Sequence, residues 1–130
     1  MPTKSLDERK LELTVKKSHW ENNFKGLNYL MVAHGGALIA IFAIAKNDKV
    51  PTEAHFPIFV ACVGLACAIL AYVCASDLYV RRLEKASGVA EPGGMIPEGL
   101  ARWSAMVFSG LSVALLFILL GSAAHAFWPF

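Results

Sequence analysis

Three stretches of this chain, Gly26–Ala45, Pro57–Ala75 and Trp103–Phe127, contain no aspartate, glutamate, lysine or arginine. A helix rises about 1.5 Å per residue and the hydrocarbon layer of a bilayer is about 30 Å thick, so roughly 20 apolar residues suffice to cross it. Each block meets or nearly meets that length. The pattern predicts an all-α integral membrane protein with three transmembrane helices. A soluble three-helix bundle would instead need polar residues at regular intervals to face water. Pro57–Ala75 offers none, and Val107–Gly121 is broken only by Ser109, Gly110 and Ser112, whose hydroxyls can bond back to their own helix. Composition agrees: 56% hydrophobic and 17% charged residues with a mean hydropathy of +0.51 exceed what a soluble domain of this size carries.

Ala43-Ile44-Ala45 imitates a small-x-small cleavage site. About 25 mostly polar residues precede the first block, however, and its apolar stretch is longer than the roughly 7–15 residues of a signal peptide core. The block reads as a retained span.

Basic residues set the expected orientation. Lys4, Arg9, Lys10, Lys16, Lys17 and Lys25 precede the first span, and Arg81, Arg82, Lys85 and Arg102 lie between the second and third. The other side holds only Lys46 and Lys49. Ten against two is a consistent positive-inside bias, predicting a cytoplasmic N-terminus and an outer C-terminus (N-in/C-out). The expected location is a bacterial inner (plasma) membrane. Trp20, Tyr29, Tyr79, Trp103 and Trp128 fall near predicted span ends, where aromatic side chains anchor helices at headgroup depth.

Residues 1–25 read as a cytoplasmic amphipathic helix. Ser5 and Glu8 fit a capping box, and Glu12–Lys16 and Glu21–Lys25 are favourably ordered pairs one turn apart. Leu6, Leu13, Trp20 and Leu27 recur every seven positions with Phe24 on the same face. Such a stripe calls for lipid, a second copy of the chain or a neighbouring helix. The second span runs without a breaker into residues 76–87, where Asp77–Arg81 forms another pair and Leu78, Val80 and Leu83 are available for packing, so a cytoplasmic helical extension is expected. Residues 88–102 read as a flexible cytoplasmic linker in which Pro97 opens the last helix from its first turn. The outer loop, 46–56, is too short for a domain, and 128–130 form an outer tail. Acidic Asp7, Glu8 and Glu12 dilute the basic N-terminus, which argues against a dedicated anionic-lipid or nucleic-acid tether there.

Small residues line one face of each span: Ala33, Gly36, Ala37 and Ala40; Gly64, Ala68, Ala71 and Ala75; Gly110, Ala114 and Gly121. Such faces allow close backbone approach where lipid supplies no hydrophobic force between helices. Three of them in a three-helix chain can satisfy one another, or they can serve an oligomer.

His34 invites a sharper reading. It lies eight residues into the first span, about 12 Å by helical rise, where an ionisable group is costly. It can hydrogen-bond across the bundle to a serine or tyrosine, ligate a haem or chlorin beside Gly35 and Gly36, or line a pore. A second axial histidine at matching depth is missing, because His55 and His125 belong to the opposite edge and His19 lies outside the spans. No cofactor is therefore the leading expectation. Cys62, Cys67 and Cys74 share one span and match no metal or disulfide geometry.

No phosphate-binding loop, metalloprotease histidine pair or intramembrane carboxylate pair is present in the sequence. These patterns point away from an enzyme and towards an accessory or anchor subunit, packing against other membrane-protein subunits or copies of itself. The alternatives are a self-assembling pore with the layout of holin-like or toxic effectors, and a haem- or pigment-ligating subunit through His34. A pore needs a polar stripe, and Asn28, His34 and the serines of the third span are sparse for one.

Overall fold

The computed structural model describes residues 5–45, 52–86, 88 and 95–127. All elements among them are helical: α1 (Leu6–Ala45), α2 (Thr52–Ala86) and α3 (Glu98–Phe127). Each contains a stretch long and apolar enough to cross a membrane.

The 40 residues of α1 form one rod about 60 Å long. The expected cytoplasmic helix and first span are thus not two elements but one, because nothing between them breaks the hydrogen-bond ladder. The start is fixed by the capping box: the Glu8 N–H donates to Ser5 Oγ at 3.3 Å, and the Ser5 N–H donates to the Glu8 carboxylate at 3.2 Å. Asp7 and Glu8 in the first turn also complement the positive end of the helix dipole. Glu12 pairs with Lys16 at 3.1 Å as expected, whereas Glu21 pairs with Lys17 at 3.9 Å rather than with Lys25. Exposed pairs of this kind differ by only a few tenths of a kcal/mol, so the choice of partner carries little energy.

The α2 helix begins at Thr52, inside the segment expected to be an outer loop. Pro57, buried near its start, already holds a helical φ and sacrifices one backbone bond just past the first turn. The rest of that loop, 46–51, lies outside the described residues, as does the tail at 128–130. At its far end α2 carries the expected extension to Ala86, and Gly88 leaves the helix at φ 86° with its N–H donating to the Lys85 carbonyl at 3.3 Å. A side chain at that φ would be strained, so glycine ends the helix cheaply.

The linker is shorter than the sequence suggests, since α3 starts at Glu98. Pro97 stands just before the helix rather than in its first turn, its carbonyl accepting from the Ala101 N–H at 2.9 Å. The approach is pinned by Asp77, whose carboxylate accepts from Arg81 Nε at 3.2 Å and from the Met95 N–H at 3.1 Å. One acidic side chain on α2 therefore positions the entry into α3.

Helix α2 is the centre of the packing. It lies along much of α3, somewhat less of α1, and the outer two helices touch only sparingly. The cause is its small face: Ala61, Ala68, Ala71 and Ala75 are buried, bringing backbones close enough for dispersion to act over long stretches. Towards the charged end, Leu27 packs on Ala71 and Ala75, flanked by Phe24, Tyr72 and Phe108. Towards the other end, Val60, Ala61 and Leu119 form a second cluster with Ala37 and Leu38.

Trp20 and Tyr79, expected as interfacial anchors, belong to an aromatic cluster. Phe24 sits 5.2 Å from Tyr72, 5.7 Å from Tyr79 and 6.2 Å from Trp20, and Trp20 lies 5.8 Å from Tyr79. Tyr29 and Trp103 are exposed. Tilted and edge-on ring pairs add about 0.5–1.5 kcal/mol each beyond area burial. Phe24→Ala is expected to destabilise the protein by about 2–4 kcal/mol, read as a lower thermal midpoint in detergent, with Phe24→Leu recovering part of the loss.

Candidate functional site

Each helix contributes one residue to a polar node: His34 from α1, Gly64 from α2 and Ser112 from α3. The sequence-derived spans bring them to similar heights. His34 lies about 12 Å and Ser112 about 14 Å from the charged ends of their blocks, and Gly64, on the antiparallel α2, lies about 16 Å from its own. His34 and Ser112 are fully buried.

The hydrogen bonds fix the tautomer. His34 Nε2 is 3.1 Å from the Ser112 carbonyl, which can only accept, so Nε2 carries the proton. Ser112 Oγ lies 3.2 Å from Nε2 and donates to the Gly64 carbonyl at 3.0 Å. This ties all three helices into one chain of bonds. His34 Nδ1 is left buried without a partner. An orphaned acceptor of this kind costs about 1–3 kcal/mol, which the packing around it must offset.

Gly64 is needed for space. A Cβ built there would overlap the His34 imidazole, meeting Cε1, Nδ1 and Nε2. By contrast, Gly35 and Gly36, which the sequence suggests could make room for a flat ring beside His34, have open space around them and do not border the imidazole's contact with α2. With the ring fully enclosed and Nε2 turned to Ser112, this arrangement does not suit a haem or chlorin. Ligation would require α1 to part from its neighbours.

The other sequence candidates separate clearly. On α2, Gly64, Ala68, Ala71 and Ala75 are all buried. On α1, Ala33 and Ala37 are partly buried, while Gly36 and Ala40 are exposed. On α3, Gly110, Ala114 and Gly121 are all exposed. At about 100° per residue, they lie opposite the face that buries Ala101, Ser112 and Leu119. The three small faces therefore do not satisfy one another within the chain. The heptad stripe also divides: Leu27, Trp20 and Phe24 pack against α2, whereas Leu6 and Leu13 remain 69% and 47% exposed. Cys67 and Cys74 are buried, Cys62 is exposed, and all three are free thiols. Among the described residues no group of three His, Cys, Asp or Glu side chains is placed to hold a metal.

Sequence reasoning singled out His34 but named no particular partner. The available signal was height: Ser112 is the polar residue of the third block that matches the depth of His34.

No protein-family model, curated protein or solved structure matches this chain.

Gly64→Ala is expected to cost about 1–3 kcal/mol by overpacking. Combining it with His34→Ala should cost less than the sum of the two single changes, and a double-mutant cycle of thermal stability in detergent checks this coupling. Ser112→Ala is expected to cost about 1 kcal/mol, the scale of a hydrogen bond between membrane helices.

Proposed function

We propose that this chain is a non-enzymatic multi-pass membrane protein that serves as an accessory or anchor subunit, with its N-terminus in the cytoplasm. The observation that carries the reading is the surface that α1 leaves without a neighbour. Leu6, Leu11, Leu13 and Val15 are exposed at its charged end, before the aromatic cluster begins, and Gly36 and Ala40 are exposed beyond the node.

The unbroken α1 gives this surface a direction. A segment collinear with a spanning helix cannot also lie in the plane of the membrane, so residues 6–25 project away from it as a stalk about 30 Å long. The α2 extension braces the stalk around Trp20 and stops at Ala86. The leucines nearer the N-terminus then stand in water, where exposed apolar side chains on a helix favour a partner. Within the bilayer, the outward small faces of α1 and α3 would admit a neighbouring helix at close range. The ten-to-two division of basic residues supports the cytoplasmic placement of the stalk.

The pore alternative has less support. A lumen needs a continuous polar stripe, and His34 and Ser112 turn to each other in the interior instead.

Mild-detergent purification of the tagged chain from its native membrane is expected to bring down another membrane protein in stoichiometric amount. Leu6→Glu with Leu13→Glu should abolish that recovery while membrane insertion and helicity stay unchanged. A homo-oligomer with no second protein would overturn the accessory reading.

A further inference from the structure

From just past the node towards the charged ends, residues of α1, α2 and α3 line an open cleft of about 1620 Å³. Its walls change character along its length. The part nearest the node is apolar, with Leu30 and Ala33 from α1 facing Val113 and Leu116 from α3. The charged end is lined by six basic side chains, Lys16, Lys17, Arg81, Arg82, Lys85 and Arg102, against one carboxylate, Glu98.

Four of these cations have a carboxylate beside them: Arg81 is held by Asp77 at 3.2 Å and Lys16 by Glu12 at 3.1 Å, while Lys17 and Arg102 lie 3.9 and 3.8 Å from Glu21 and Glu98 in exposed pairs. Among the described residues, no carboxylate is paired with Arg82 or Lys85. The dimensions match one leaflet: from Arg102 to Leu116 the α3 wall runs about 21 Å, enough for a headgroup region and half of the roughly 30 Å hydrocarbon layer.

We propose that this cleft holds an anionic glycerophospholipid from the leaflet at its basic end, with the phosphate between Arg82 and Arg102 and an acyl chain against Leu30 and Val113. The argument is charge complementarity joined to depth. A free anion would answer the cations and leave the apolar walls uncovered. An apolar helix would cover the walls and leave the cations unanswered. An anionic lipid does both, and clustered basic residues at a membrane surface attract such headgroups. The proposal does not depend on the accessory role.

Trp20 lines the cleft, whereas Trp103 is exposed outside it, so each can serve as a reporter. The full chain would be reconstituted in two single-tryptophan forms, one keeping Trp20 (Trp103→Phe, Trp128→Phe) and one keeping Trp103 (Trp20→Phe, Trp128→Phe). Nanodiscs would contain phosphatidylcholine with a minor fraction of phosphatidylglycerol, either lipid carrying a nitroxide on the acyl carbons next to the headgroup. Nitroxide-labelled phosphatidylglycerol is expected to quench Trp20 at a several-fold lower mole fraction than nitroxide-labelled phosphatidylcholine, with a clearly smaller preference at Trp103. Arg82→Gln with Arg102→Gln should abolish the Trp20 preference at unchanged helicity. Three results would each overturn the proposal: an equal preference at both tryptophans, which signals general enrichment around a basic protein; a preference that survives the double substitution; or shielding of Trp20 from both lipids, as a partner helix in the cleft would produce.

Discussion

The contact between the His34 imidazole and the bare backbone of Gly64 sets the geometry on which the other packing depends. In hydrocarbon, apolar side chains gain little by leaving lipid for one another, so helix association rests on close backbone approach and on polar groups that need partners. Both occur at this point. Glycine lets the ring settle on α2, and Ser112 closes the arrangement from α3 by bonding to His34 on one side and to the Gly64 carbonyl on the other. The longitudinal registers of the three helices are thereby linked, and sliding any one of them would strand a buried donor or acceptor.

Fixing the helices at one height leaves their spread at the ends to other residues. Towards the charged end, the bulk of Trp20, Phe24, Tyr72 and Tyr79 fills the space between α1 and α2, while α3 is held to α2 through Ala101 and, at its entry, through Asp77 and Met95. Both outer helices thus follow α2, and below the node Leu27 of α1 and Phe108 of α3 both pack at the Ala71–Ala75 face of α2. The cleft is a consequence of α2 satisfying each neighbour separately.

The sequence was most readable where the signal is one-dimensional. Uncharged blocks, the Ser5–Glu8 capping box, the Asp77–Arg81 pair and the unbroken second helix follow from local spacing, and the structure contains each of them. Boundaries were less legible. Thr52 and Glu98 begin helices inside segments rich in loop residues, because Pro57 and Pro97 are compatible with helix starts as well as with turns. Least legible were relations between helices. Periodicity finds the small face of α3 but cannot say whether it points inward, and Gly110, Ala114 and Gly121 turn away because Ser112 and Leu119, on the opposite side, bind α2. Similarly, a heptad stripe names a face and not its partner, so the division between Leu13 and Trp20 depends on where α2 ends.

That division bears on why the chain would work in company. Every buried small residue of α2 has a neighbour within the protein, so its association needs are met internally. The outer helices are satisfied on one side only: α1 retains exposed leucines and glycine, and α3 exposes a complete small face. Ordinary lipid contact is made well by the large side chains these helices also expose, such as Ile39, Phe117 and Leu120, and gains little from alanine and glycine. Small residues on an outer surface contribute mainly when another backbone can approach them. A stable centre with incomplete flanks is the arrangement expected of a subunit whose packing is finished by something outside the chain.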